Sequence, residues 1–214
     1  MTERRTLVLA SSNAGKLEEL RTLLAELPFR VISVREALGE ALGVEETGDT
    51  FEANAMLKAR AVCLATGELS LADDSGLEVD GLDGRPGVRS ARFAHLQATD
   101  AENNAELLRQ LEEKGKVSRR ARFRCVLAWV APGTLEPRWV QGTCEGTIAS
   151  SSRGSGGFGY DPLFIVDGAG GRSFAELTAD EKHGLSHRGK AVRALVEELA
   201  TSAARRRSDR PAGA

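Results

Sequence analysis

The chain has 214 residues, 29 basic and 31 acidic, for a formal net charge of −2. Its 41% apolar and 28% charged residues match a folded globular protein and exclude a disordered one. No global positive field gathers polyanions, so broad nucleic-acid binding has no support; a phosphate must be held by local lysines, backbone amides or a metal ion.

Cys63, Cys125 and Cys144 are scattered and form no C-x-x-C pair. They read as reduced, packed thiols of a cytosolic protein, not as a disulfide framework or a zinc site. Arg4 and Arg5 precede an apolar run at 7–10 that is too short for a signal core. No stretch reaches transmembrane length. The expected location is the cytoplasm, with no membrane partner.

Residues 6–11 read as a short buried strand, and Asn13 as the N-cap of a helix carrying Leu17, Leu20, Leu24 and Leu27 before Pro28. Residues 29–34 form a second expected strand. Asp49-Thr50-Phe51-Glu52 resembles a capping box and opens a helix that ends at Gly67. That helix is apolar nearly all round, so it is expected to be buried. Residues 69–74 read as a strand, and 75–92 as a loop rich in Gly and Pro.

An amphipathic helix follows over 101–114, on Ala105, Leu107, Leu108 and Leu111. Residues 121–131 and 137–146 make a hairpin through Pro132-Gly133-Thr134. A Gly/Ser-rich loop precedes a strand at 162–166, and two helical pieces, 178–183 and 187–204, close the pattern. The domain reading is a single unit over 1–204 with a basic, disordered tail at 205–214. Hairpins mixed with helices indicate an α/β or α+β fold on a mixed sheet.

Five segments could carry chemistry. Ser11-Ser12-Asn13-Ala14-Gly15-Lys16 lies between strand and helix, where free N–H groups and the helix dipole suit a phosphate. It lacks the glycine and the Ser/Thr of a Walker A loop, and the alternative is a plain capped helix. Asn54 and Lys58 share one helix face, and Lys58 must snorkel to water or meet an anion. Asp73 and Asp74 end an apolar strand and alternate in direction, so only one of them enters a given site. Two readings stand for Asp73-Asp74-Ser75-Gly76, a tight turn or oxygen ligands for Mg²⁺.

Ser155 to Pro162 combines three glycines with Phe158 and Tyr160, which allows close backbone approach and base stacking, or a flexible loop with tucked aromatics. His183 and His187 are four apart but lack the glutamate of H-E-x-x-H, which argues against zinc. Ser186 reads as the N-cap of the last helix, placing His187 and Arg188 in its first turn.

Taken in order, these segments resemble the inosine triphosphate pyrophosphatase family, which acts on abnormal purine nucleotides. The matching pieces are Ser-x-Asn-x-x-Lys at 11–16, Glu-Thr-Gly at 46–48, Glu-x-Asn-Ala-x-x-Lys-Ala at 52–59 and Ala-Asp-Asp-Ser-Gly-Leu at 72–77. Gly-Arg-Pro-Gly-Val-x-Ser-Ala-Arg at 84–92, Gly-Gly-Phe-Gly-Tyr-Asp-Pro at 156–162 and Ser-His-Arg at 186–188 complete them.

The resemblance implies an elongated α/β homodimer subunit, two lobes with a nucleotide cleft between them, that converts ITP, dITP and XTP to monophosphate and pyrophosphate with Mg²⁺. Glu46 and Asp74 would hold the metal, with Asp74 also accepting the proton of the attacking water. Ser11, Ser12, Asn13, Ala14, Gly15, Lys16 and Lys58 would grip the triphosphate, with Ser75 beside it. Phe158, Gly159, Tyr160, Asp161, Lys182, His187 and Arg188 would line the base pocket.

Overall fold

A computed structural model describes residues 4–208. Its centre is one six-stranded mixed sheet in the order β2-β1-β3-β4-β5-β6. β1 (Arg5–Ala10), β2 (Phe29–Ser33) and β3 (Leu69–Val79) run parallel, whereas β4 (Arg120–Val130), β5 (Arg138–Ile148) and β6 (Phe164–Val166) continue antiparallel. The α/β mixed sheet flanked by helices agrees with the sequence.

Helices cover both faces of the first strands. α1 (Ala14–Leu24) and α6 (His187–Ser208) sit on one face, where Leu20, Leu24, Ala191 and Leu195 meet Leu7, Leu9, Leu71 and Leu127. α2 (Val34–Leu38) and α3 (Phe51–Thr66) cover the other, with Ala55, Ala59 and Val62 on Val8, Ala72 and Val126. A third core gathers beyond the middle of β3, where Leu77, Phe123 and Phe164 pack with Leu107 and Leu111 of α4 (Asp100–Glu113). α5 (Ala179–Leu185) leads into α6.

β3 thus passes from the first two cores into the third, and Asp73, Asp74, Ser75 and Gly76 occupy the crossing. The expected loop from residue 75 is not there: β3 continues to Val79. The cause is β4, which pairs with it from Ser70 opposite Val130 to Val79 opposite Ala121. A glycine inside a strand marks close approach, and a Cβ on Gly76 would lie 2.4 Å from both the Gly87 carbonyl and the Ser90 hydroxyl. The 87–92 segment folds onto β3 through that gap.

Several ends obey local chemistry. The Asn13 side chain accepts the Lys16 amide at 2.9 Å, capping α1. Thr50 caps α3 through the Ala53 amide, and Gly67 closes it at φ 69°. The expected capping box at 49–52 is therefore a one-sided cap, because Ala53 stands where a glutamate would reach back. α6 reaches Ser208, so it takes in residues 205–208 of the expected tail; 209–214 lie outside the described residues. No helix among the described residues is long and apolar enough to cross a membrane.

Candidate active site

Alternation along β3 sends its two aspartates to opposite faces of the sheet. Asp73 points to the α1 and α6 side, where its carboxylate meets Lys16 at 2.7 Å and Arg188 at 2.9 Å. Ser75 and Cys125 donate to it at 2.8 and 3.2 Å. Burial works to raise its carboxyl, but Lys16 and Arg188 outweigh that and hold it well below the usual range.

Asp74 points to the α3 side. One oxygen takes the Lys58 ammonium at 2.7 Å; the other, Oδ2, is buried without a partner. Burial raises its carboxyl above the usual range in spite of Lys58 and Lys16. Lys58 also reaches Glu46 at 3.0 Å and the Asp73 carbonyl at 2.8 Å, so a cation already sits between the two carboxylates. Burial would lower the Lys58 ammonium; Asp74 and Glu46 prevail and raise it. Arg92 approaches Glu46 at 3.7 Å. Asn54 accepts the Gly48 amide at 2.8 Å and so fixes the loop that carries Glu46.

The second half of the site lies on the Asp73 side. Lys182 meets Asp161 at 2.6 Å and Glu19 at 2.5 Å, and Arg188 binds Glu19 as well as donating to Ser75 at 2.8 Å. An unbroken charge chain results, Lys16–Asp73–Arg188–Glu19–Lys182–Asp161. Phe158 lies over Lys182 at 4.9 Å and over Arg188 at 5.5 Å.

A Cβ on Gly15 would fall 2.7 Å from the Phe158 ring, so the missing side chain lets that ring lie across the start of α1. His187 is fully covered and stacks on Phe123 with centroids 4.7 Å apart; neither ring nitrogen has a partner. Burial, aided by Arg188, pushes its pKa well below the ordinary histidine value.

A cavity joins the N-terminus of α1 to this half of the site. Asn13, Lys16, Ser75, Phe158, His187 and Arg188 are among the residues that line it, with Gly159, Tyr160 and Asp161 on its wall. Glu46, Lys58 and Asp74 form the adjoining cluster on the α3 side. Ser12 and Ala14 are exposed beside Asn13, and Ser11 accepts the Asn13 amide at 3.2 Å. Lys182 stands behind the cavity, bound to Asp161. Sequence reasoning passed over Glu19, Ser90, Asp100, Asn103 and Phe123. Glu19 had a readable signal, lying three residues after Lys16 and thus on the same face of α1, and Ser90 stood within the motif at 84–92.

The Ham1 family model matches residues 7–198. The chain belongs to the Ham1 family. The dITP/XTP pyrophosphatase of Desulforamulus reducens is 50% identical over 194 residues, 90% of this chain and 94% of that protein. Its counterpart from Bacillus subtilis is 46% identical over 192 residues, covering 90% and 96%. Among solved structures, a HAM1 protein from Coxiella burnetii superposes with a TM-score of 0.83 at 42% identity, over 92% of this chain and 99% of that one. For this Ham1-family chain, the fold read from sequence therefore agrees with structures of its own family.

Proposed function

We propose that the chain hydrolyses ITP, dITP and XTP to the nucleoside monophosphate and pyrophosphate, in a Mg²⁺-dependent reaction. The observation that carries this reading is the bare, buried Asp74 Oδ2 beside Glu46, joined through Lys16 to a helix N-terminus and an aromatic-walled cavity. The relatives named as dITP/XTP pyrophosphatases support the substrate class.

The residues fit a magnesium ion. Among the described residues no group of three or more His, Cys, Asp and Glu could hold a metal. Two carboxylates suffice for Mg²⁺, which completes its shell with water and substrate phosphate. Glu46 and Asp74 would hold it, and bound there it neutralises phosphate charge and lowers the pKa of a nucleophilic water.

The chain's own groups do the rest. The α1 N-terminus, with Ser11 through Lys16, receives the triphosphate through free amides and the lysine. Lys16 and Lys58 stabilise charge as it moves onto the leaving pyrophosphate. Water oxygen bonds to the α-phosphorus, the bond from that phosphorus to the bridging oxygen breaks, and Asp74 takes the water's proton. Ser75 lies beside the substrate, held by Arg188.

The purine occupies the cavity under Phe158 and beside Gly159, Tyr160, Asp161, His187 and Arg188, with Lys182 behind. Donors there reward the 6-oxo group of hypoxanthine or xanthine and leave the amino group of ATP unmatched, a mismatch that can reach ~10⁴-fold. The nucleotide lies in a cleft between two lobes, and the enzyme works as a cytoplasmic homodimer.

A panel of ITP, dITP, XTP, GTP and ATP with Mg²⁺ or EDTA, scored for pyrophosphate, tests the proposal. Pyrophosphate from the first three, lost with EDTA, is expected. Orthophosphate as the first product, or turnover indifferent to EDTA, overturns it. Light scattering in solution tests the dimer.

A further inference from the structure

We infer that Asp100 and Asn104, one turn apart at the start of α4, are positioning residues that fix the Phe158 wall of the base cavity; the inference rests on the pyrophosphatase reading. The two side chains hold both polar groups of Gly159. Its amide donates to Asp100 Oδ2 at 2.6 Å, and its carbonyl accepts from Asn104 Nδ2 at 2.9 Å. The spacing of four places both on one helix face, and Thr99 caps the helix through the Glu102 amide.

Packing alone does not locate this wall. On its inner side lies the base cavity, about 90 Å³, and on its outer side an open groove of about 520 Å³. Phe158 and Gly159 border both. Apart from the Phe158 ring lying on Gly15, a segment with space on each side takes its position from directional bonds, the Phe158 amide to Asp161 Oδ2 at 3.0 Å among them. Gly159 itself has φ 62° and no atom within 4 Å of where a Cβ would stand, so nothing presses on it.

The same turn of α4 ties down the facing wall. Asn103 donates to the Ala91 carbonyl at 3.2 Å and accepts the Ala94 amide at 3.0 Å. The Tyr160 hydroxyl bridges the two walls, donating to the Ser90 carbonyl at 2.9 Å. α4 therefore sets the width of the cavity without contributing to the charge chain behind it. Loss of either Gly159 bond frees the Phe158 ring to shift over Lys182 and Arg188, which weakens purine binding and discrimination while the Asp74 cluster stays intact.

The test compares Asp100→Ala, Asn104→Asp and the conservative Asp100→Asn in the full chain. Asp100→Ala removes the acceptor, and Asn104→Asp turns a donor toward a carbonyl into an acceptor. Each is expected to raise KM for ITP about tenfold, the equivalent of one hydrogen bond, and to lower the ITP-over-ATP ratio of kcat/KM. The value of kcat should stay within about threefold, since a lost binding interaction leaves the chemical step in place.

Asp100→Asn keeps an acceptor and should behave as the parent. Hydrogen exchange of the 156–161 amides, measured without nucleotide, should speed up in the two disruptive variants only. Unchanged KM and unchanged exchange overturn the inference, as does loss of kcat together with global thermal stability. If the parent protein does not cleave ITP, the pyrophosphatase reading fails by itself, and the exchange measurement still decides whether α4 clamps the loop.

Discussion

Asp73 and Asp74 are adjacent in sequence, yet the fold gives them opposite fates. Asp73 has four partners and a carboxyl held well below its ordinary pKa. Asp74 has one bare oxygen and a carboxyl that burial raises. A satisfied buried charge anchors structure, because all its attraction is already used within the protein. An unsatisfied one can still accept a partner, and under the proposed function that partner is a cation or the proton of a water. The strand's twofold alternation creates the difference, and the helices on each face determine its consequences.

That contrast can be broken experimentally, beginning with the largest effect. Asp74→Asn keeps size and polarity but removes the charge and the proton acceptor. Turnover measured as pyrophosphate release should drop by at least ~10³-fold, at the scale of losing a general base, while the thermal transition is preserved. Retained turnover would transfer the catalytic role elsewhere. Removal of divalent ions by EDTA should abolish activity in the parent and be restored by added Mg²⁺.

Asp73→Ala should act on stability instead, since it strands Lys16 and Arg188 in a buried setting. Denaturant titration should show a loss of about 3–5 kcal/mol, typical of breaking a buried ion pair from one side. A stable Asp73→Ala protein that is merely inactive would remove the distinction drawn between the two aspartates.

His187 gives a smaller, pH-dependent effect. Its ring is kept neutral in the fold, whereas the unfolded chain takes up a proton below pH 6.5. The unfolded state then binds more protons, so stability is fully present above 6.5 and falls as the pH drops. From pH 6.5 to 5.5 the loss should be about 1 kcal/mol, and His187→Phe should flatten that slope in denaturant melts at the two pH values.

The smallest effect is expected where the charges are exposed. Arg120 pairs with Asp167 at 2.8 Å, with roughly half of each side chain in water. Arg120→Ala should leave the melting temperature without measurable change, because solvent screens such a pair. Geometry alike in form to that of Lys16 and Asp73 then differs in consequence only through burial.

How far the site was legible depends on the range of the interaction. Asn13 as a cap is a contact over three residues, and sequence is enough to read it. α2 carried a comparable signal in Ser33 and Glu36, whose reciprocal capping box the structure displays, though no helix was expected there. The Ser75–Gly76 pair looked like a turn because both residue types favour turns. Ten paired positions along β4 overrode that preference, as tertiary context does for weak local propensities.

Sequence alone determined the alternating and helical patterns, the N-cap of α1, the Gly67 end of α3 and the opposite orientation of Asp73 and Asp74. These follow from backbone geometry over a few residues. Only the tertiary structure decided which aspartate would be satisfied, that Glu19 would join Lys182 to Arg188, and that α4 would hold Gly159. Those outcomes depend on electrostatics and hydrogen bonds between segments as much as 169 residues apart, whose partners exist only after the chain has closed around them.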